Sequence, residues 1–236
     1  MKEATYLCAM HLLIVAATSG EVSPLLNKLE EVNVAAPFLK QYKFGSVNID
    51  VLITGVGMTA TAFHSGRALM SGHYDLAVNM GICGAFSRSL NIGETIIVAA
   101  DQFSELGAED GEQFLSAFDI RLLQKDEHPF KDGKLLPDLS AWDKILSSLR
   151  RVSALTVNKV HGNNDSIRQT LERFSPDTES MEGAAFYYAC MMSDVPCIQV
   201  RAVSNYVERR NRDAWNIPLA IQSVNDVVFI MIETLS

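Results

Sequence analysis

Short buried-strand patterns alternate with helical patterns along nearly the whole chain, and this rhythm limits the folds open to it. Apolar runs rich in β-branched residues fall at 11–17, 49–54, 76–80, 95–100 and 197–204. Helical patterns lie between them, at 24–31, 59–71, 138–151, 166–174, 181–193 and 217–235. Parallel strands joined by crossover helices produce such an alternation. We therefore expect an α/β protein, a single-domain three-layer α/β/α structure with a mostly parallel central mixed sheet.

The alternation begins near residue 11, so we expect residues 1–10 to form an N-terminal extension and residues 11–236 to form one domain. The first residues resemble a short secretory signal, but Glu3 stands where such a signal needs basic residues, which disfavours it. Residues 101–137 break the rhythm with glycine, proline and acidic residues, and we interpret them as an irregular segment.

Charge and cysteine content exclude several classes of function. The 236-residue chain has a formal net charge of −8, whereas a nucleic-acid surface needs a basic face. Its 4 cysteines show no CxxC spacing, which indicates reduced thiols in a cytoplasmic protein, with neither disulfides nor a metal site. No apolar run approaches the length of a membrane span, so no membrane partner is expected.

Distinctive residues follow four of the expected strands. "AATSGEVSP" places Glu21 before a helix that we expect to begin at Ser23, "ITGVGMTA" and "VNMGICGAF" are glycine-rich turns, and a fourth strand ends in Ser204 and Asn205. Each has an ordinary interpretation, as a helix-start charge or a tight turn. However, ligands of open α/β sheets bind where strands end, so their repetition at one edge favours a binding site there.

The turn at Gly55 and Gly57 nearly fits the dinucleotide-binding pattern GxGxxG/A. That pattern also needs an acidic residue at the end of the following strand to hold the ribose. Here Asp75 precedes the next strand and therefore lies at the opposite edge of the sheet, while the strand itself leads to Asn79. A dehydrogenase is disfavoured.

"TESMEGAAFYYACMM" places a carboxylate, Glu182, at the start of an otherwise apolar helix for which Ser180 is a plausible N-cap. A charge near a helix N-terminus can serve the helix dipole alone. Because this helix is apolar enough to be buried, an unpaired charge would be costly, and Arg201 of the last strand is a candidate partner.

Taken together, "AATSGEVSPLL", "NMGICGAF", "SMEGAA" and "VPCIQVRAVSN" resemble the purine nucleoside phosphorylase and methylthioadenosine/S-adenosylhomocysteine nucleosidase superfamily, from about residue 11 to 235. Within it, "ESMEGAAF" and "SNYVERRNRDAW" are most similar to the futalosine hydrolases of menaquinone biosynthesis. The resemblance implies a nucleoside phosphorylase-like fold, a small-molecule nucleoside substrate, no cofactor, and a homodimer or larger homo-oligomer.

The resemblance also implies roles for individual residues. Glu182 would hold the ribose hydroxyls, with Met181 lining the ribose and Arg201 orienting the carboxylate, and Glu21 would be the general base for water. The remaining residues implied to contact substrate are Gly57, Cys83, Gly84, Val160 and Ser204.

Two features bear on the reaction and its substrate. "AATSGEVSP" holds no lysine or arginine to bind phosphate, which favours hydrolysis over phosphorolysis. In the adenine-cleaving nucleosidases of this superfamily an aspartic acid stands at the position of Asn205. An amide cannot protonate a base, but it can donate hydrogen bonds to a 6-oxopurine, whose anion leaves more readily.

We therefore expect hydrolysis of futalosine to hypoxanthine and dehypoxanthine futalosine. The alternatives are a methylthioadenosine/S-adenosylhomocysteine or aminodeoxyfutalosine nucleosidase and an inosine-type phosphorylase, and Asn205 could also serve only to turn the chain. The carboxylate on the 5′ side of futalosine would suit an arginine flanked by aromatic walls. The candidates are Arg209, Arg210, Arg212, Tyr206 and Trp215.

Overall fold

The computed structural model describes residues 9–236, so most of the expected N-terminal extension, residues 1–8, lies outside the described residues. The strands are β1 (His11–Ala16), β2 (Glu30–Ala36), β3 (Leu39–Phe44), β4 (Val47–Ile53), β5 (Leu76–Ala85), β6 (Thr95–Ala100), β7 (Gly107–Asp110), β8 (Gln113–Ser116), β9 (Phe130–Lys131), β10 (Lys134–Leu135), β11 (Arg150–Thr156), β12 (Thr178–Ser180) and β13 (Cys197–Tyr206). The α-helices are α1 (Ser19–Leu26), α2 (Met58–Ser71), α3 (Asp143–Leu146), α4 (Asn164–Phe174), α5 (Gly183–Met192) and α6 (Ile217–Leu235).

One mixed sheet organises the molecule, with the strand order β12-β11-β6-β13-β5-β1-β4-β3-β2. Its central pairs β13–β5, β5–β1 and β1–β4 are parallel, whereas β13–β6, β3–β4 and β2–β3 are antiparallel. Strand β12 also pairs with β5, so this end of the sheet curls back on itself. The fold is the expected α/β class with a mostly parallel mixed sheet.

Each face of the sheet carries its own hydrophobic core. Because successive side chains of a strand point to opposite faces, Leu12 and Ile14 of β1 join one core while Leu13 and Val15 join the other. Helices α1 and α6 contribute buried side chains to the first core, and α2 and α5 contribute to the second. The three-layer arrangement follows from this alternation.

Two expected helices were misplaced. The helix expected at 24–31 is α1, which begins at Ser19 because Thr18 and Glu21 form a capping box that satisfies the first backbone N–H groups. Residues from Glu30 onward are instead strand β2. The long helix expected at 138–151 is only α3 and a short 3₁₀ turn, since strand β11 already begins at Arg150.

The segment 101–137 contains two short hairpins, β7–β8 and β9–β10, which the sequence pattern did not predict.

The C-terminal helix α6 is long and apolar enough, by length and composition alone, to cross a membrane. The expectation that no segment approaches that length was therefore wrong. Core helices of globular proteins meet the same criterion, and here Val224, Val228 and Ile232 of α6 are buried against the sheet.

A tyrosine from α5 completes the junction between β6 and β13. The two strands pair at Val200 and Ile97, and beyond this pair the hydroxyl of Tyr187 stands between them. It donates to the carbonyl of Val98 at 2.6 Å and accepts from the N–H of Gln199 at 2.9 Å. Because Tyr187 is fully buried, no water can replace these bonds.

We expect Tyr187→Phe to lower the free energy of unfolding by about 1–3 kcal/mol, because it leaves a buried N–H and a buried C=O without their partner. Urea unfolding followed by circular dichroism measures the change. Tyr188→Phe on the same helix, whose ring is 38% exposed, is the matched control and should change stability little. Equal effects of the two substitutions would contradict the structural role of the Tyr187 hydroxyl.

Candidate active site

A cavity of about 320 Å³ opens where β1, β5, β12 and β13 end. Nine of the catalytic and substrate-binding candidates selected from the sequence line it: Glu21, Cys83, Gly84, Val160, Met181, Glu182, Ser204, Asn205 and Trp215. Gly57 and Arg201 do not line it directly. Within residues 9–236 no group of three or more His, Cys, Asp or Glu side chains is arranged to hold a metal ion.

Glu21 is fixed at the start of α1 rather than in a loop before the helix. Its Oε2 accepts from the N–H and hydroxyl of Thr18 at 3.1 and 3.0 Å, and its Oε1 accepts from the N–H of Ile82 at 3.3 Å. A carboxylate has about four acceptor positions, so capacity remains for a water molecule.

The backbone of Glu21 is held from behind by a buried amide of α6. Asn225 is 1% exposed and donates to the carbonyl of Glu21 at 2.7 Å. Its Oδ1 accepts from the N–H of Leu25 at 2.9 Å, which is the donor that would otherwise bond to the Glu21 carbonyl within the helix. The amide therefore bridges the first turn of α1 and ties the position of Glu21 to α6.

Glu182 immediately precedes α5, and Ser180 belongs to β12 instead of capping this helix. Its carboxylate is buried and accepts from the N–H of Gly57 at 3.0 Å. Gly57 has φ of 95°, a conformation that favours glycine, and its role here is to hold Glu182. Burial raises the pKa of Glu182 above its usual value, and the nearby charge of Arg201 opposes that rise.

Arg201 is 1% exposed and lies beneath the cavity. Its guanidinium donates to Asn79 and, from Nε, to Oε1 of Gln199 at 3.3 Å. The expected direct pairing with Glu182 is not formed, since among the described residues no carboxylate oxygen comes within 4.0 Å of the guanidinium nitrogens. Arg201 therefore acts on Glu182 through the electrostatic attraction of its positive charge, while the side-chain amides of Asn79 and Gln199 hold the guanidinium in place.

A buried acid that the sequence analysis missed completes this network. Asp101 is fully buried and accepts from Nε2 of Gln199 and from the hydroxyl of Thr156, both at 2.9 Å. Desolvation raises its pKa to about 6. Gln199 thus links Asp101 to Arg201, and Thr156 in turn accepts from the N–H of Ala184 at the start of α5.

The opposite end of the cavity is built around Gly84. Asn205 pairs with Gly84 from β13, and Glu179 pairs with it from β12. The carboxylate of Glu179 accepts from Nδ1 of His161 at 2.5 Å, and the other ring nitrogen of His161 lies 2.8 Å from the hydroxyl of Thr170. Sequence reasoning missed both Glu179 and His161, although both line the cavity.

Cys83 is a wall of this end of the cavity and not a nucleophile. Desolvation raises the pKa of its thiol to about 12, so the sulfur stays protonated at neutral pH.

The aromatic and arginine candidates for the 5′ side of the substrate differ in their position relative to the cavity. Trp215 lines the cavity, and the guanidinium of Arg210 lies over its ring at 5.4 Å from the ring centre. Tyr206 is engaged elsewhere, since its hydroxyl donates to Leu90 and Arg88 covers its ring. Arg209, Arg210 and Arg212 are all exposed, and of the three only Arg210 is seen against an aromatic ring of the cavity.

In a comparison with protein-family sequence models, the phosphorylase superfamily matches residues 11–233 of this chain. A futalosine hydrolase of Streptomyces coelicolor is 29% identical over 227 residues, covering 93% of this chain and 94% of the relative. A 5′-methylthioadenosine/S-adenosylhomocysteine nucleosidase of Glaesserella parasuis is 23% identical over 233 residues, covering 94% of this chain and 98% of the relative.

Solved structures share the fold over nearly the whole chain. The native futalosine hydrolase of Helicobacter pylori has a TM-score of 0.80 at 15% identity, covering 96% of this chain and 98% of that one. The S-adenosylhomocysteine nucleosidase of Streptococcus pyogenes, in complex with 5-methylthiotubericidin, has a TM-score of 0.81 at 20% identity, covering 98% and 99%.

Gly81 lies in β5 directly beside the guanidinium of Arg201 and the carboxylate of Glu21. A Cβ there would lie 2.5 Å from Nη1 of Arg201 and 2.7 Å from Oε1 of Glu21. We expect Gly81→Ala to lower the free energy of unfolding by about 1–3 kcal/mol, because the buried guanidinium has no room to move. Gly66→Ala in α2 meets no atom within 4 Å and should stabilise by up to about 1 kcal/mol. Urea midpoints compare the two, and equal midpoints would contradict this packing.

Proposed function

The chain belongs to the phosphorylase superfamily, and we propose that within it this protein is a nucleosidase that hydrolyses the N-ribosidic bond of futalosine and releases hypoxanthine. The observation that carries the substrate assignment is the amide of Asn205 at one end of a cavity whose other end holds Glu21 and Glu182. A role in menaquinone biosynthesis and a homo-oligomeric assembly belong to the same proposal.

Glu182 acts on the sugar. Cleavage of an N-ribosidic bond passes through a sugar with oxocarbenium character, so groups that meet developing positive charge accelerate it. A carboxylate that accepts from the 2′ and 3′ hydroxyls makes the ribose oxygens more electron-rich as the bond breaks. The Gly57 N–H donates to Oε1 of Glu182 at 3.0 Å, and a carboxylate has about four acceptor positions, so capacity remains for the diol. Met181 lines the same part of the cavity.

Glu21 activates the water. The water oxygen forms a bond to C1′ while Glu21 takes a proton from it, and the electrons of the C1′–N9 bond go to the departing purine. Groups that hold Glu21 in one orientation, above all Thr18 and the N–H of Ile82, let the same carboxylate meet the water in each turnover. General bases of this kind contribute about 10²–10⁴ to the rate.

Water, and not phosphate, is the nucleophile. Among the residues that the structure describes, no lysine or arginine lines the cavity. Arg201 lies beneath it, where its Nε donates to Gln199 and its Nη2 donates to Asn79. A phosphate dianion would therefore meet the carboxylates of Glu21 and Glu182 without a cation of its own, which is unfavourable in a partly buried site.

Asn205 is oriented to donate to the base. Its Nδ2 bonds to the carbonyl of Tyr206 at 2.9 Å, and a carbonyl there requires the amide nitrogen on that side. Ser204 donates to Oδ1 at 2.8 Å. The second N–H of Asn205 remains for a ligand, and the residue lines the cavity.

This donor suits a 6-oxopurine. Hypoxanthine leaves as an anion that an N–H can stabilise at N7 or O6 without full proton transfer. Adenine is a poorer anionic leaving group and depends more on an acid. The futalosine hydrolase relative supports the 6-oxo substrate, and the methylthioadenosine/S-adenosylhomocysteine nucleosidase relative supports the alternative of a 6-amino substrate. Arg210 beside Trp215 supplies a cation for the carboxylate on the 5′ side of futalosine.

We expect the wild-type protein to cleave futalosine at least about 10²-fold more efficiently than its 6-amino analogue, since a wrong base leaves buried polar groups unpaired. Asn205→Asp should narrow that ratio at least tenfold (about 1.4 kcal/mol), because a protonated carboxyl donates to N7 and accepts from the amine. Competition between the two substrates, with both released bases quantified across a pH series, gives the ratio of kcat/KM directly.

Asn163→Asp at the N-cap of α4 is the matched control, since aspartate caps a helix as well as asparagine does and the site is not involved. Its ratio should equal that of the wild type. A wild-type preference for the 6-amino analogue would instead identify an adenine nucleosidase, and an unchanged ratio in Asn205→Asp at every pH would remove residue 205 from base selection.

A further inference from the structure

We propose that Glu179 is a second residue that reads the purine, accepting the N1–H of hypoxanthine while Asn205 donates to the same base, and that His161 positions it. This assignment rests on the proposed function, since it names the second half of base recognition at the same site.

The first support is placement. Glu179 and Asn205 reach Gly84 from its two neighbouring strands, β12 and β13. A Cβ built on Gly84 would lie 2.9 Å from Cγ2 of Val207, 3.4 Å from Nδ2 of Asn205 and 3.6 Å from Cγ of Glu179. The amide and the acidic side chain therefore lie close to the same glycine and both line the cavity, so a flat ring edge bound there would meet a donor and an acceptor.

The second support is the way in which the charge of Glu179 is held. The residue is 4% exposed, and a carboxylate so deeply buried needs partners. His161 supplies both of them, its N–H to Oε1 at 3.0 Å and its Nδ1 to Oε2 at 2.5 Å. In the described part of the chain Glu179 has no lysine or arginine within ion-pair distance, and each of its oxygens keeps a free acceptor position.

His161 itself is a positioning residue. Its Nδ1 faces Glu179 and its Nε2 faces the hydroxyl of Thr170 at 2.8 Å, so neither ring nitrogen is free for a ligand. The Thr170 hydroxyl can accept from or donate to Nε2, so Nδ1 keeps its proton toward Glu179 whether the ring is neutral or charged. The ring thus fixes the carboxylate without competing for the base.

The chemistry matches one class of base. At neutral pH hypoxanthine presents a donor at N1 and an acceptor at O6, which a carboxylate and an amide N–H satisfy together. Adenine presents a lone pair at N1, which the Glu179 carboxylate would repel. Because buried polar groups left unpaired are costly, this pair of residues discriminates between the two bases.

The test measures binding of free bases by calorimetry. The wild-type protein should bind hypoxanthine at least about tenfold more tightly than 1-methylhypoxanthine, in which a methyl group replaces the N1 proton. Glu179→Gln should lose at least about tenfold in hypoxanthine affinity and should not weaken adenine binding, because the substitution removes the repulsion at N1. Glu172→Gln on the exposed face of α4 is the matched control and should leave all three affinities unchanged.

The possible results distinguish a failure of the Glu179 role from a failure of the proposed function. Equal wild-type affinity for hypoxanthine and 1-methylhypoxanthine overturns the role of Glu179 without needing any variant, even where Glu179→Gln folds poorly. A wild-type preference for hypoxanthine over adenine that Glu179→Gln leaves unchanged overturns this inference alone. A wild-type preference for adenine overturns the proposed function and this inference with it.

Discussion

A fully buried arginine is the constraint on which the rest of the site depends. Arg201 is 1% exposed in the middle of the central sheet, and a cation removed from water must be surrounded by acceptors and opposite charge. Asn79 and Gln199 supply the acceptors from β5 and β13. Asp101 supplies negative charge through Gln199, and the positive charge of Arg201 opposes the rise that burial causes in the pKa of both Asp101 and Glu182.

In this arrangement carboxylates line the cavity, and among the residues that the structure describes no lysine or arginine does so. Nε and Nη2 of Arg201 donate to buried amides beneath the cavity, and in the proposed mechanism the carboxylates above it act on a neutral sugar and on water. Phosphorolysis would need a cationic side chain that faces the cavity and binds phosphate. Hydrolysis needs a base that faces the cavity and accepts a proton from water. In the proposed mechanism that base is Glu21, which is held by Thr18 and by the α6 amide of Asn225.

The sequence allowed us to predict site residues that end strands or begin helices. It did not allow us to predict the distant residues that form hydrogen bonds within the site. Glu182 stood out because a carboxylate precedes an apolar helix, and Asn205 because a buried strand ends in an amide. Glu179 and Asp101 gave no such signal, since their partners lie 18 and 98 residues away in the chain. Helix α1 was misplaced because Pro24 suggested a start that the capping box at Thr18 sets earlier.

The central claim is hydrolysis of futalosine by a site that excludes phosphate. The most direct measurement incubates the purified protein with futalosine, with and without inorganic phosphate, and separates the products by chromatography. The account predicts hypoxanthine and dehypoxanthine futalosine, at a rate independent of phosphate, with no sugar 1-phosphate formed. A phosphate-dependent rate that yields a sugar 1-phosphate would contradict it.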